Sequence, residues 1–200
     1  DGRIRAFDKD GQVRFNSEQP VYYRPGVLCV NDQYVFAEAD YPVTGEHKLE
    51  VINYTSGVAR QEFNTGFDIA SIIESNENEL ILFGNTNGNG KIYSYFINGN
   101  YGIDRHTIYN NTIYGAVATD NYHYALATHG GLYSYDVSSN NLIPLDLSGS
   151  VYSLEYDDVN GIFFANAGKK IREYDAISGA LLSTISLQDS LLAIRLVYSK

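Results

Sequence analysis

The chain contains no tryptophan and no methionine, a single cysteine, four prolines and only 14 lysines and arginines among its 200 residues. Each shortage removes a class of function. With Cys29 alone, neither an intrachain disulfide nor a zinc site built on several thiolates can form. Basic residues are outnumbered by 24 aspartates and glutamates, so the net charge is −10. Nucleic acid and anionic membrane surfaces both need a basic face, and neither is an expected partner. The longest apolar stretches, such as Leu80–Phe83 and Leu191–Ile194, are too short to cross a bilayer. No methionine precedes Asp1, which is therefore expected to follow a processed or cut segment, with any export signal already removed.

What is abundant is tyrosine, with 18 copies, together with Asn, Gly and Ser punctuating the chain every 8 to 12 positions. No window of a dozen residues shows a clean 3.6-residue period, whereas short β-branched and aromatic runs recur between turn residues. The chain is therefore expected to be all-β, since tyrosine suits pleated, half-buried surfaces.

Five segments share one grammar. They are Ile4-Arg-Ala-Phe7-Asp8, Leu49-Glu-Val-Ile52-Asn53, Ile92-Tyr-Ser-Tyr95-Phe96, Leu132-Tyr-Ser-Tyr135-Asp136 and Ile171-Arg-Glu-Tyr174-Asp175. Their first residues lie 45, 43, 40 and 39 positions apart. A period near 40 in a β-rich chain predicts propeller blades of four strands. Complete units are expected at 21–67, 68–111, 112–149 and 150–189, and partial ones at 1–20 and 190–200, all within one domain over 1–200. The first fragment supplies strands at Arg3–Phe7 and Gln12–Phe15, the last a strand at Leu192–Val197. Two arrangements remain open: a five-blade ring closed by a three-stranded split blade, or the C-terminal part of a larger ring, which the mid-blade start favours.

The pattern Ile171-x-x-Tyr174-Asp175-x-x-Ser178-Gly179, followed by Leu181-Leu182, resembles the blade repeat of quinoprotein-like and YVTN-type β-propellers. The Asn, Tyr and Ser richness is similar to exported propellers of Bacteroidetes-type bacteria. The resemblance implies a fold. It implies quinone chemistry only where a stacking Trp and metal-binding acids are present, and this chain has no Trp. No cofactor is expected.

Individual motifs read mostly as structure. Asp8, Asp136, Asp175 and Asn53 recur after the third strand of successive units, where an Asx side chain accepts backbone N–H bonds and holds a hairpin. Asn85-Thr-Asn87-Gly-Asn89-Gly90 imitates the start of a calcium loop, but its first ligand is neutral and its twelfth position is Phe96, so a turn is expected. Asp8–Gly11 and Asp157–Gly161 are better calcium donors on charge, but both sit where a hairpin turn is required, so turns are expected there too. His47, His106, His123 and His129 show no i,i+2 or i,i+4 spacing, and no metal site is expected from them.

The expected function is a non-catalytic binding scaffold, exported to the cell surface or periplasm, that engages a protein or glycan partner without membrane insertion. Loops held by a stiff frame lose little entropy on association. The longer connections Ala39–His47 and Asn85–Lys91 point to Tyr41, Glu46, His47, Asn87 and Asn89 as binding residues, with Tyr22, Tyr23, Tyr101 and Tyr114 as further contributors. The alternative is a metal-dependent hydrolase or lactonase using acids gathered in a central channel. A third possibility, a eukaryotic cytosolic assembly scaffold, has little in the residues to support it.

Overall fold

Strand formers separated by Asn, Asp and Gly give strands joined by tight turns, and the described residues contain no helix. The structure is a computed structural model that describes residues 4–7, 10–16, 22–41, 44–120, 122–191 and 193–194, without the side chains of 15, 22–26 and 40. Asp8 and the side chains of Tyr22 and Tyr23 therefore lie outside it. Of the strand expected at Leu192–Val197, only Ala193 and Ile194 are described, and neither is in a strand.

A two-stranded antiparallel sheet opens the chain, β1 (Arg5–Phe7) with β2 (Val13–Asn16). Four four-stranded sheets follow, each built from consecutive strands. The first of these holds β3 (Tyr22–Val30), β4 (Tyr34–Tyr41), β5 (Glu46–Asn53) and β6 (Ala59–Asn64). The next holds β7 (Asp68–Asn76), β8 (Glu79–Thr86), β9 (Asn89–Phe96) and β10 (Tyr101–Ile108). Then come β11 (Ile113–Ala118), β12 (His123–Thr128), β13 (Gly131–Asp136) and β14 (Asn141–Asp146). The last sheet holds β15 (Ser153–Asp157), β16 (Ile162–Asn166), β17 (Lys170–Asp175) and β18 (Leu181–Ser186). These are the four-stranded blades of a β-propeller, as the period near 40 predicts.

The chain divides into two compact units, Asp1–Leu82 with Ser94–Ile103, and Phe83–Tyr93 with Asp104–Lys200. In the first, Ala6 of the short opening sheet and Ile4 just before it pack on Val35 and Ile52 of the next sheet. In the second, Ala125, Leu132, Leu154, Phe163 and Tyr174 form a shared core.

Second strands are buried on both faces and so are almost continuously apolar, as in Leu80–Phe83 and Tyr124–Ala127. In three of the four complete blades a third-strand tyrosine is the largest core piece: Tyr95, Tyr135 and Tyr174 are at most 1% exposed, and Ile52 takes that place in the first. Their hydroxyls keep partners, because an unpaired buried O–H is costly. The turn that follows is held as the repeat predicts. Asp136 Oδ1 accepts the amides of Ser138 and Ser139, Asp175 Oδ1 that of Ser178, and Asn53 Oδ1 those of Thr55 and Ser56.

A second device recurs in three of the four complete blades. A polar side chain of the second strand bonds backbone at or near the start of the next repeat. Asn85 accepts from the Ile113 amide at 2.7 Å and donates to its carbonyl at 2.8 Å. Asn166 donates to the Leu191 carbonyl, and Glu38 accepts from the Ile69 amide at 2.7 Å.

Candidate functional site

The Ala39–His47 connection, expected as a long loop, is mostly paired strand. Ala39 faces Lys48, Asp40 faces His47 and Tyr41 faces Glu46. Gly45, at φ 69°, supplies the left-handed turn residue, and its amide closes the turn on the Tyr41 carbonyl at 2.7 Å. The extra residues that suggest a long loop instead lengthen a hairpin, one face of which is polar.

Period-two alternation puts Tyr41, Glu46, Lys48 and Glu50 on that face, joined by Glu62 of β6. The Tyr41 hydroxyl donates to Glu50 at 2.7 Å, and Glu50 is 2% exposed. Lys48 Nζ lies 4.3 Å from the Tyr41 ring centroid, 3.2 Å from Glu62 and 3.6 Å from Glu46. Burial, and then the Glu50 carboxylate, push the Tyr41 phenol far above its usual range, so it remains a protonated donor. Tyr41 thus satisfies a buried acid of its own sheet. His47 turns to the opposite face, where its Nδ1 is 3.6 Å from Glu38.

Asn87 and Asn89 also sit in a tighter setting than expected. The Asn85–Lys91 connection is a two-residue hairpin turn with Asn87 at φ 51° and Gly88 at φ 76°, the primed geometry that Asn-Gly favours. Asn87 is exposed, whereas Asn89 accepts the Asn110 amide at 2.8 Å.

The second unit carries an exposed aromatic surface. β11 and β15 run side by side, so residues at the same repeat position approach one another. Ile113 and Val151 are buried, and the tyrosines that follow them turn outward. Tyr114 and Tyr152 stack at 5.5 Å between centroids and 27° between planes, yet remain 39% and 47% exposed. His129 Nδ1 lies 3.3 Å from the Tyr114 hydroxyl and 3.5 Å from Ser150 Oγ, which donates to the His129 carbonyl. A cavity of about 290 Å³ adjoins this surface, lined by Tyr152, Gly168, Ser190 and Leu191. The result is two ring faces, an apolar floor and a polar edge, suited to gripping a partner. The Ser–His pair is not a nucleophile arrangement: Ser150 spends its proton on a carbonyl, and no carboxylate orients His129 among the described residues.

Sequence reasoning raised Tyr114, weighed His129 only as a metal or acid–base candidate, and missed Tyr152 and Ser150. The available signal was the repeat itself, since Ile113-Tyr114 and Val151-Tyr152 stand at one register of successive units.

A different surface lies in the first unit, a cleft of about 770 Å³ lined by Asp32, Glu74 and Glu77 and by side chains of Asn31, Asn76 and Asn78. Its amides are engaged in local structure. Asn31 donates to Glu74 and accepts from Gln33 and Tyr34, and Asn78 accepts from Asn98.

Four-stranded, blade-like sheets in sequence order, three of them with a buried tyrosine in the third strand, define a β-propeller protein. Solved structures agree on the fold. The chain is similar to the computationally designed Ika8 protein, with a TM-score of 0.72 and 16% identity over 99% of this chain and 60% of that one. It is similar to BamB from Moraxella catarrhalis, with a TM-score of 0.61 and 12% identity over 92% and 55%. It is also similar to the extracellular domain of the putative one-component system BT4673 from B. thetaiotaomicron, with a TM-score of 0.67 and 18% identity over 93% and 28%. The chain spans at most 60% of the length of each of these proteins. No protein-family model and no curated protein matches the sequence.

Proposed function

We propose that this chain is a non-catalytic binding scaffold of an exported protein, which engages a protein partner through the Tyr114–Tyr152 surface. The observation that carries this reading is a stacked tyrosine pair left exposed beside the buried Ile113 and Val151. Tyrosine gives a large amphipathic contact at low rotamer cost, and a partner residue filling the adjoining cavity would anchor it. Exported location is supported by likeness to an extracellular domain. The quinoprotein-like and YVTN-type blade grammar of Ile171–Gly179 supports the rigid frame. Tyr41, Glu46 and His47 in the first unit and, separately, Asn87 and Asn89 in the second are proposed as minor contacts that add little affinity; Asn87 is the exposed residue among them and Tyr41 is occupied by Glu50.

The test is capture of envelope and secreted proteins on the immobilised chain, alongside a glycan array, using wild type and a Tyr114→Ala/Tyr152→Ala double variant. A protein retained by wild type and lost from the folded double variant supports the proposal. Binding of glycans alone, or equal retention by both chains, overturns it.

A further inference from the structure

The latch between consecutive units needs only a hydrogen-bond acceptor or donor, and two units meet that need with a neutral amide, Asn85 or Asn166. Glu38 does the same task with a charged carboxylate that is 0% exposed. A buried carboxylate is expensive unless a cation or strong donors accompany it. Its surroundings supply further ligands rather than neutral packing. His47 and Asp68 each bring one ligand atom, and with a Glu38 oxygen these all lie within 4.8 Å of one another.

The backbone fixes the three donors. Glu38 and His47 come from one face of the β4–β5 hairpin. Asp68 opens β7, beside the Ile69 amide that Glu38 accepts. The connection before it is pinned to the hairpin: the Thr65 amide and hydroxyl both donate to the His47 carbonyl at 3.0 Å. The geometry has the scale of a coordination shell. Donors about 2.0–2.1 Å from a tetrahedral ion stand roughly 3.4 Å apart, and His47 Nδ1 is 3.6 Å from Glu38 Oε1. The His47 side chain is 36% exposed, which leaves the group an entry path from solvent.

We infer that Glu38, His47 and Asp68 form a binding site for a divalent first-row cation of the Zn²⁺ or Mn²⁺ kind, which ties the β4–β5 hairpin to the start of β7. One imidazole and two carboxylates suit such ions, with water completing the shell. The histidine spacing along the chain gave no sign of it, because the ligands come from three strands separated by turns.

The experiment is calorimetric titration of the chelator-treated chain with Zn²⁺ alone and Mn²⁺ alone, with the melting temperature followed in parallel. Wild type is expected to bind about one ion per chain and to melt higher when loaded. Glu38→Gln keeps an acceptor for the Ile69 amide and so keeps the latch, but it loses the anionic ligand. His47→Ala changes a side chain that is already partly exposed. Both variants are expected to weaken binding at least tenfold while retaining the wild-type circular dichroism spectrum, and His123→Ala is expected to bind as wild type. The inference is overturned if neither ion binds to wild type, if His47→Ala binds as tightly as wild type, or if His123→Ala abolishes uptake.

Discussion

The Tyr135 hydroxyl donates to the Asn140 side-chain oxygen at 2.8 Å, and Asn140 holds a left-handed backbone with φ 54°. The pair recurs one unit earlier, where Tyr95 donates to Asn100 at 2.9 Å and Asn100 has φ 49°. The other two complete units place glycine at this turn position, Gly57 and Gly179, also with positive φ. There the partner changes accordingly: Ile52 has no hydroxyl, and Tyr174 donates to Asp146 at 2.6 Å instead. Asparagine is thus chosen over glycine where its side chain serves a buried phenol.

It follows that Tyr135→Phe lowers stability by about 1 kcal/mol, the net value of one such bond. Asn140→Ala is more harmful than Asn140→Gly by about 1 kcal/mol, because alanine loses the bond and also strains at positive φ, whereas glycine only loses the bond. Urea unfolding of the three variants checks the order. Equal losses for alanine and glycine would contradict it.

The Asp146 cluster sets an acid limit on stability. Burial alone would raise this carboxyl, but the Tyr174 hydroxyl, Ser148 and the Arg172 guanidinium at 2.8 Å together hold it down at about 2. An unfolded aspartate titrates near 3.9. The folded form therefore resists protonation that the unfolded chain accepts. The stabilisation is complete above about pH 5 and is lost as pH falls towards 2. Asp136 and Asp175, also lowered by their serine donors, act in the same direction. Asp146→Asn is expected to flatten the melting-temperature profile between pH 5 and 2 in part, and an unchanged slope would count against the cluster.

Gly131 begins β13 at φ 138°, and a Cβ there overlaps the carbonyl oxygen of Asp146 on the neighbouring strand. Neither atom is a flexible side-chain end, so the sheet itself has to move. Gly131→Ala is expected to cost roughly 2–4 kcal/mol. Gly161→Ala, with open space around its Cβ, suffers only the strain of its φ of 65° and serves as the comparison. A smaller loss at Gly131 than at Gly161 would be inconsistent with this packing.

Most of the architecture is written locally. Turn chemistry at Asn53, Asp136 and Asp175 and the apolar second strands are short-range features, and they recur at a fixed period that a reader of the sequence can follow. Residues 39–47 show where that reading breaks down. Residues in excess of the usual period look like loop, because unit length does not reveal which backbone groups are paired. The candidate sites are harder still. Tyr114 and Tyr152 meet only because β11 and β15 lie side by side, and Glu38, His47 and Asp68 converge across three strands. Such contacts depend on spatial neighbours that linear spacing does not encode. The equal register of the two tyrosines was the one trace visible beforehand.

The functional reading is tested most directly by isothermal titration of an identified protein partner against wild type, Tyr114→Ala, Tyr152→Ala and Tyr41→Ala, each shown to be folded by its circular dichroism spectrum. The account predicts that each of the first two substitutions weakens affinity at least thirtyfold, as expected for an aromatic anchor worth about 2 kcal/mol or more, while Tyr41→Ala changes it less than threefold. Wild-type affinity in Tyr114→Ala and Tyr152→Ala, with loss confined to Tyr41→Ala, would move the contact surface to the β4–β5 hairpin and contradict the account.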